Sequence, residues 1–102
     1  MNATMYIVLS TEDETIYDEV CNQLKSFYSP LSISPYRPYA RMKDAMEFYV
    51  TFSIQKDDLS LLLNELSNCF DESEYEDEWE CYGITSKVFH KDVYYIHIDA
   101  FD

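Results

Sequence analysis

Apolar and polar residues alternate without a break in "EFYVTFSI", where Phe48, Val50, Phe52 and Ile54 fall on one side and Glu47, Tyr49, Thr51 and Ser53 on the other. A period of two is that of a strand with one buried face and one open face. Near the amino terminus, "MYIVLS" is rich in β-branched and aromatic residues and predicts a second strand. The period then changes. Ile16, Val20, Leu24 and Phe27, flanked by Tyr17, Cys21 and Tyr28, recur every three to four residues, which places them on one stripe of a helix. Thr11 followed by Glu14 has capping-box spacing, and Glu12, Asp13 and Glu14 suit the positive end of the helix dipole. Pro30 closes this helix. A second helix is expected with Leu59, Leu62, Leu63, Leu66 and Phe70 inward and with Asp57 or Asp58 as its cap.

Three other segments carry strand patterns. In "SPLSISPYRPYARMK", Pro35 and Pro38 remove two backbone donors, so any strand there is short, irregular and at a sheet edge. "WECYGIT" and "VYYIHIDAF" are strand candidates joined through "SKVFHKD", long enough for a hairpin loop. In the last of these, Tyr94, Ile96, Ile98 and Ala100 form the apolar set, and Tyr95, His97 and Asp99 point outward. A slip of one residue would exchange the two faces.

Laid over each other at an offset of 43, "YIVLSTEDETIYDEVCNQLKSF" and "YVTFSIQKDDLSLLLNELSNCF" share a strand-then-helix pattern. The order this suggests is β-α-β twice, then an added strand. It predicts an α+β fold: a ferredoxin-like antiparallel sheet with two helices on one face and an extra C-terminal strand. Residues 1–102 are read as a single domain. With both helices on one side, the other side of the sheet stays open and displays Tyr49, Thr51, Ser53, Tyr95, His97 and Asp99.

Composition narrows the function. Apolar residues make up 47% of the chain and aromatic residues 17%, too many core formers for a disordered acidic tail. Twenty Asp and Glu stand against seven Lys and Arg, a formal charge of -13. Self-repulsion of that size opposes compaction and needs a reason. It also argues against direct contact with nucleic acid or an anionic membrane, because such ligands are held by cations. The amino terminus lacks the parts of a secretory signal, and no apolar run reaches membrane-spanning length. Cys21, Cys69 and Cys81 are odd in number and widely spaced, which fits free thiols in a reducing compartment; a cytoplasmic location is expected.

No enzyme is expected. Gly83 is the single glycine, so there is no glycine-rich phosphate loop, and no nucleophile elbow or paired-histidine metal motif is present. His97 and Asp99 could form an acid–base pair, but a surface hydrogen bond is the simpler reading. No Cys stands at ligand spacing from another, and the acidic run does not fit a calcium loop, since Glu76 and Tyr82 occupy the positions of the turn glycine and the bidentate Glu. Neither cofactor nor metal is expected.

The run itself, "DESEYEDEWE", is the feature that asks for a function. A solvated loop after a helix is the ordinary reading of such a stretch. Against it, Asp71 and Glu72 would stand at the helix C-terminus, where the dipole disfavours them, and Tyr75 and Trp79 are poorly used in water. Trp and Tyr serve as interface anchors, and carboxylates around them pair with Lys and Arg of a cationic partner. The candidate partner-binding set is therefore Asp71, Glu72, Glu74, Tyr75, Glu76, Asp77, Glu78, Trp79 and Glu80, joined by Tyr95, His97 and Asp99. Glu12, Asp13, Glu14, Asp18 and Glu19 add a second anionic patch that speeds encounter with a cationic protein.

In size, acidity and aromatic richness the chain resembles the immunity proteins that bacteria keep against secreted or contact-delivered toxins, many of them nucleases. That resemblance implies a tight one-to-one complex that blocks a cationic toxin domain, with no chemistry performed by the inhibitor, which is a monomer or weak dimer when free. Two other readings share some of the physics. One is a phage DNA mimic, an anti-CRISPR or anti-restriction protein whose carboxylates imitate phosphates. The other is a dimeric ferredoxin-like regulatory domain that binds a small ligand between paired sheets.

Overall fold

The computed structural model describes residues 1–67, 70–72 and 77–101, with Asp71 and Glu72 described by their backbone alone. Strand β1 spans Asn2–Leu9, helix α1 Glu14–Phe27, β2 Ser32–Ile33, β3 Arg37–Pro38 and β4 Met46–Ser53. Helix α2 spans Lys56–Leu66, followed by β5 at Asp71–Glu72, β6 at Glu78–Tyr82 and β7 at Val93–Phe101. The strands form one antiparallel sheet in the order β2-β4-β1-β7-β6-β5, and β3 also pairs with β4. The fold is α+β, as the pattern predicts, and β1 lying between β4 and β7 is compatible with a ferredoxin-like plan.

Burial explains the arrangement. Met5, Ile7 and Leu9 of β1, Phe48 and Val50 of β4, and Ile96 and Ile98 of β7 share one core with Val20 and Leu24 of α1 and Leu59, Leu62 and Leu66 of α2. Both helices therefore cover the same side. Phe48 is 1% exposed, and truncating a ring so enclosed costs about 3–5 kcal/mol through lost transfer energy and the cavity left behind. The alternation of β4 is present as expected, with Glu47, Tyr49, Thr51 and Ser53 turned away from the core.

Several local expectations are corrected. Helix α1 starts after Asp13 and not at a Thr11 capping box: the Asp13 carboxylate accepts from the Thr15 backbone N–H at 2.9 Å, and Thr11 Oγ1 accepts from Asp13 N–H. A short side chain two residues nearer the helix reaches its orphan donors better. Helix α2 has Gln55 at its N-cap with no side-chain cap; Asp57 and Asp58 sit in its first turn, where the dipole favours them. Phe70 lies beyond α2 yet still packs against the core.

The C-terminal strand is no appendage, since β7 lies between β1 and β6. Its Ile96 and Ile98 are fully buried, and a nine-residue strand with such positions gains most where both edges are paired. "WECYGIT" stops being strand at Tyr82, where Thr85 and Ser86 N–H groups turn back onto the Tyr82 carbonyl. Alternation along β7 predicts Tyr94 in the core. Instead a bulge between Val8 and Leu9 pairs Leu9 with Val93 and skips Tyr94, so Val93 takes the buried place at 2% exposed.

The acidic run is no plain loop either. Its two ends form antiparallel strands, with Asp71 opposite Glu80 and Glu72 opposite Trp79. Together they make the outer edge of the sheet beyond β7. Among the described residues no helix is long and apolar enough to cross a membrane.

Candidate functional site

The uncovered face of the sheet is built by cross-strand register. Reading from β4 through β1 and β7 to β6, Tyr49, Tyr6, His97 and Glu80 are successive partners. The neighbouring rows are Thr51, Thr4, Asp99 and Glu78, and Glu47, Val8, Tyr95 and Tyr82. The outward assignments of Tyr49, Thr51, Ser53, Tyr95, His97 and Asp99 thus share one face, as expected.

Tyrosines cross this face in a line. The Tyr49 and Tyr6 rings lie 5.1 Å apart, Tyr6 and Tyr95 6.2 Å, and Tyr95 and Tyr82 4.8 Å, all tilted or edge-on. These are the geometries that aromatic quadrupoles favour. The two inner rings are each tied to a carboxylate. The Tyr6 hydroxyl donates to Glu47, which also accepts from Arg37 Nε at 2.7 Å, and the Tyr95 hydroxyl donates to Glu80 at 2.9 Å. Arg37 also stands over the Tyr49 ring, 5.8 Å from its centre.

Partial burial, and then the hydrogen bond to Glu47, pushes the Tyr6 phenol well above its ordinary pKa. Burial and then Glu80 do the same to Tyr95. Both phenols hold their protons and donate them to the paired carboxylates. A hollow of about 500 Å³ opens beside them, lined by Tyr6, Tyr39, Arg41, Glu47, Tyr82 and Tyr94 among others. Ring faces bordered by carboxylate oxygens suit a guanidinium or ammonium group.

The residues singled out in the sequence divide. Glu78, Glu80, Tyr95, His97 and Asp99 come together on the open face. Asp77 is exposed in the turn before β6. Asp71 and Glu72 form β5, whereas Glu74, Tyr75 and Glu76 lie outside the described residues. Trp79 goes to the other side: it pairs with Ile98, packs against the core and borders a hollow of about 690 Å³ with Leu59, Leu63 and Phe70. Period-two alternation in "EWECY" is the physical cause, because Glu78 and Glu80 cannot share a face with Trp79. Tyr6, Arg37, Glu47 and Tyr82 were not singled out as site residues. Alternation alone puts Tyr6, between Met5 and Ile7, and Glu47, before Phe48, on the open side; their meeting with Arg37 and Tyr82 needed the register.

Of the other titratable groups, His90 is committed to structure. His90 accepts from the Asp92 backbone N–H at 3.1 Å and lies 3.3 Å from Glu19, which holds the β6–β7 connection to α1. His97 Nδ1 is 3.8 Å from Asp99 Oδ2, too far for a hydrogen bond. Cys21 and Cys81 are buried free thiols, and burial pushes Cys21 up, away from the reactive thiolate. Cys69 lies outside the described residues. Ligand atoms of Glu78, His97 and Asp99 all fall within 4.8 Å of one another. In comparisons with known proteins, the chain matches no family model, no curated protein and no solved structure.

Proposed function

We propose that the protein is an inhibitory binding module of the immunity-protein kind, which neutralises a cationic toxin domain by docking it on the open sheet face. The observation that supports this most is the line of tyrosines from Tyr49 to Tyr82 bordered by Glu47 and Glu80, continuing into Glu78 and Asp99 at the β6 side. Such a surface offers rigid aromatic area at low entropic cost and acceptors for Lys and Arg. Opposite unit charges 4 Å apart at an effective dielectric of about 20 attract by roughly 4 kcal/mol before desolvation, so a few pairs decide which partner is held. Self-pairing through the same face sets the acidic column of one copy against that of another, which disfavours the dimeric reading.

The test is binding and inhibition together. Purified nuclease toxin domains of positive charge are passed over the immobilised protein at low ionic strength, then eluted with salt. The expected result is a one-to-one complex with one such domain, released as salt rises, whose nuclease activity is lost on binding. Retention of none of them at low salt would overturn the proposal.

A further inference from the structure

Glu78 and Asp99 are direct partners across β6 and β7, and His97 lies two residues from Asp99 on the same face. We propose that Glu78, His97 and Asp99 form a binding site for a first-row divalent transition metal of the Zn²⁺ type. The donor set is one imidazole nitrogen and two carboxylate oxygens, all within 4.8 Å of one another. Tetrahedral ligands about 2.0–2.2 Å from a metal stand about 3.4 Å apart. Closing the triangle therefore takes side-chain rotation of about an ångström, with the backbone held by the β6–β7 ladder.

A second observation separates His97 and Asp99 from the occupied carboxylates of the same face. Glu47 is occupied by Tyr6 and Arg37, and Glu80 by Tyr95. The side chains of His97 and Asp99 make no hydrogen bond among the described residues, although they face each other at 3.8 Å and are 29% and 41% exposed. That gap is too long for a hydrogen bond and suits a cation shared between them. Glu78 takes part in an interaction of its own, so metal binding would share or redirect its carboxylate.

The chemistry selects the class of ion. An imidazole ligand favours Zn²⁺ and its neighbours over Mg²⁺ and Ca²⁺, which prefer all-oxygen cages. A net charge of -13 raises the local concentration of any divalent cation, so selectivity must come from His97. Three protein ligands leave one position facing solvent, open to water or to a partner's side chain. This site does not depend on the toxin-binding reading, because the metal is titrated into the protein alone.

EDTA-treated protein is titrated with ZnCl₂, MgCl₂ and CaCl₂ by calorimetry and thermal melting. Zn²⁺ is expected to bind and to raise Tm, with Mg²⁺ and Ca²⁺ much weaker. His97→Ala and Asp99→Asn should each lower Zn²⁺ affinity about tenfold or more. In the unaltered protein, Zn²⁺ should shift the ring resonances of His97 and leave those of His90 in place, which decides the matter even if a variant fails to fold. Absence of Zn²⁺ binding overturns the site. So does binding with unmoved His97 resonances, or equal response to all three ions, since either places the metal on thiols or on diffuse acidic surface.

Discussion

Trp79 stands opposite Ile98 across β6 and β7, and because Ile98 is fully buried the indole lies on the helix-covered side of the sheet. Its ring is half-buried against the core and not displayed with Glu78 and Glu80. Trp79→Ala is therefore expected to destabilise the fold by about 2 kcal/mol, below the 3–5 typical of a fully enclosed ring. Urea unfolding measures it. A variant as stable as the parent, with a partner that dissociates faster, would return Trp79 to the binding surface.

Gly83 is the one glycine in the chain, and its role is steric. A Cβ there would stand 2.0 Å from the Val93 carbonyl oxygen, a backbone atom that cannot turn aside. The close approach is held by the Gly83 N–H donating to Tyr94 O at 2.8 Å. Gly83→Ala should cost about 1–3 kcal/mol by forcing β6 and β7 apart. Chemical denaturation of the two proteins compares them directly.

The phenols of Tyr6 and Tyr95 are raised chiefly by burial and next by their carboxylate partners, and burial lifts Tyr17 to about 12. A group whose folded pKa exceeds its unfolded value of about 10 holds its proton longer when folded. Its contribution is complete below pH about 10 and is lost as pH climbs through the folded value. Stability should thus fall above pH 10, and Tyr95→Phe should make that fall shallower. Urea midpoints measured from pH 8 to pH 11 provide the slope; identical slopes in both proteins would contradict the assignment.

Association should be governed by charge at the β6 edge. Asp77 is exposed, and Glu80 lies on the open face opposite His97. The pair Asp77→Asn and Glu80→Gln should slow association with a cationic partner about tenfold at low salt and flatten its salt dependence, with little change in dissociation. Stopped-flow binding at several ionic strengths tests this. Unchanged association rates would move the docking surface elsewhere.

What could be read from the chain was local. Phe48, Val50, Phe52 and Ile54 alternate because a strand's side chains alternate, and Val20, Leu24, Leu59, Leu62 and Leu66 recur because a helix turns every 3.6 residues. Two helices and a half-open antiparallel sheet follow from those periods, and so do the outward Tyr49, Tyr95, His97 and Asp99. Helix starts were harder to place, because Thr11, Asp13, Asp57 and Asp58 are all competent caps, yet α1 starts after Asp13 and α2 after Gln55.

Pairing was decided by the tertiary structure, since registers between distant segments are set by which combination buries the most apolar surface. That choice set β7 beside β1, inserted the bulge that exchanged Tyr94 for Val93, and turned Trp79 inward while Glu78 and Glu80 turned out. It also brought Tyr6 beside Tyr49 and Tyr95, and Glu78 beside His97 and Asp99, residues that no spacing along the chain connects. Composition alone made the protein acidic and aromatic; cross-strand neighbours decided which acids meet which rings.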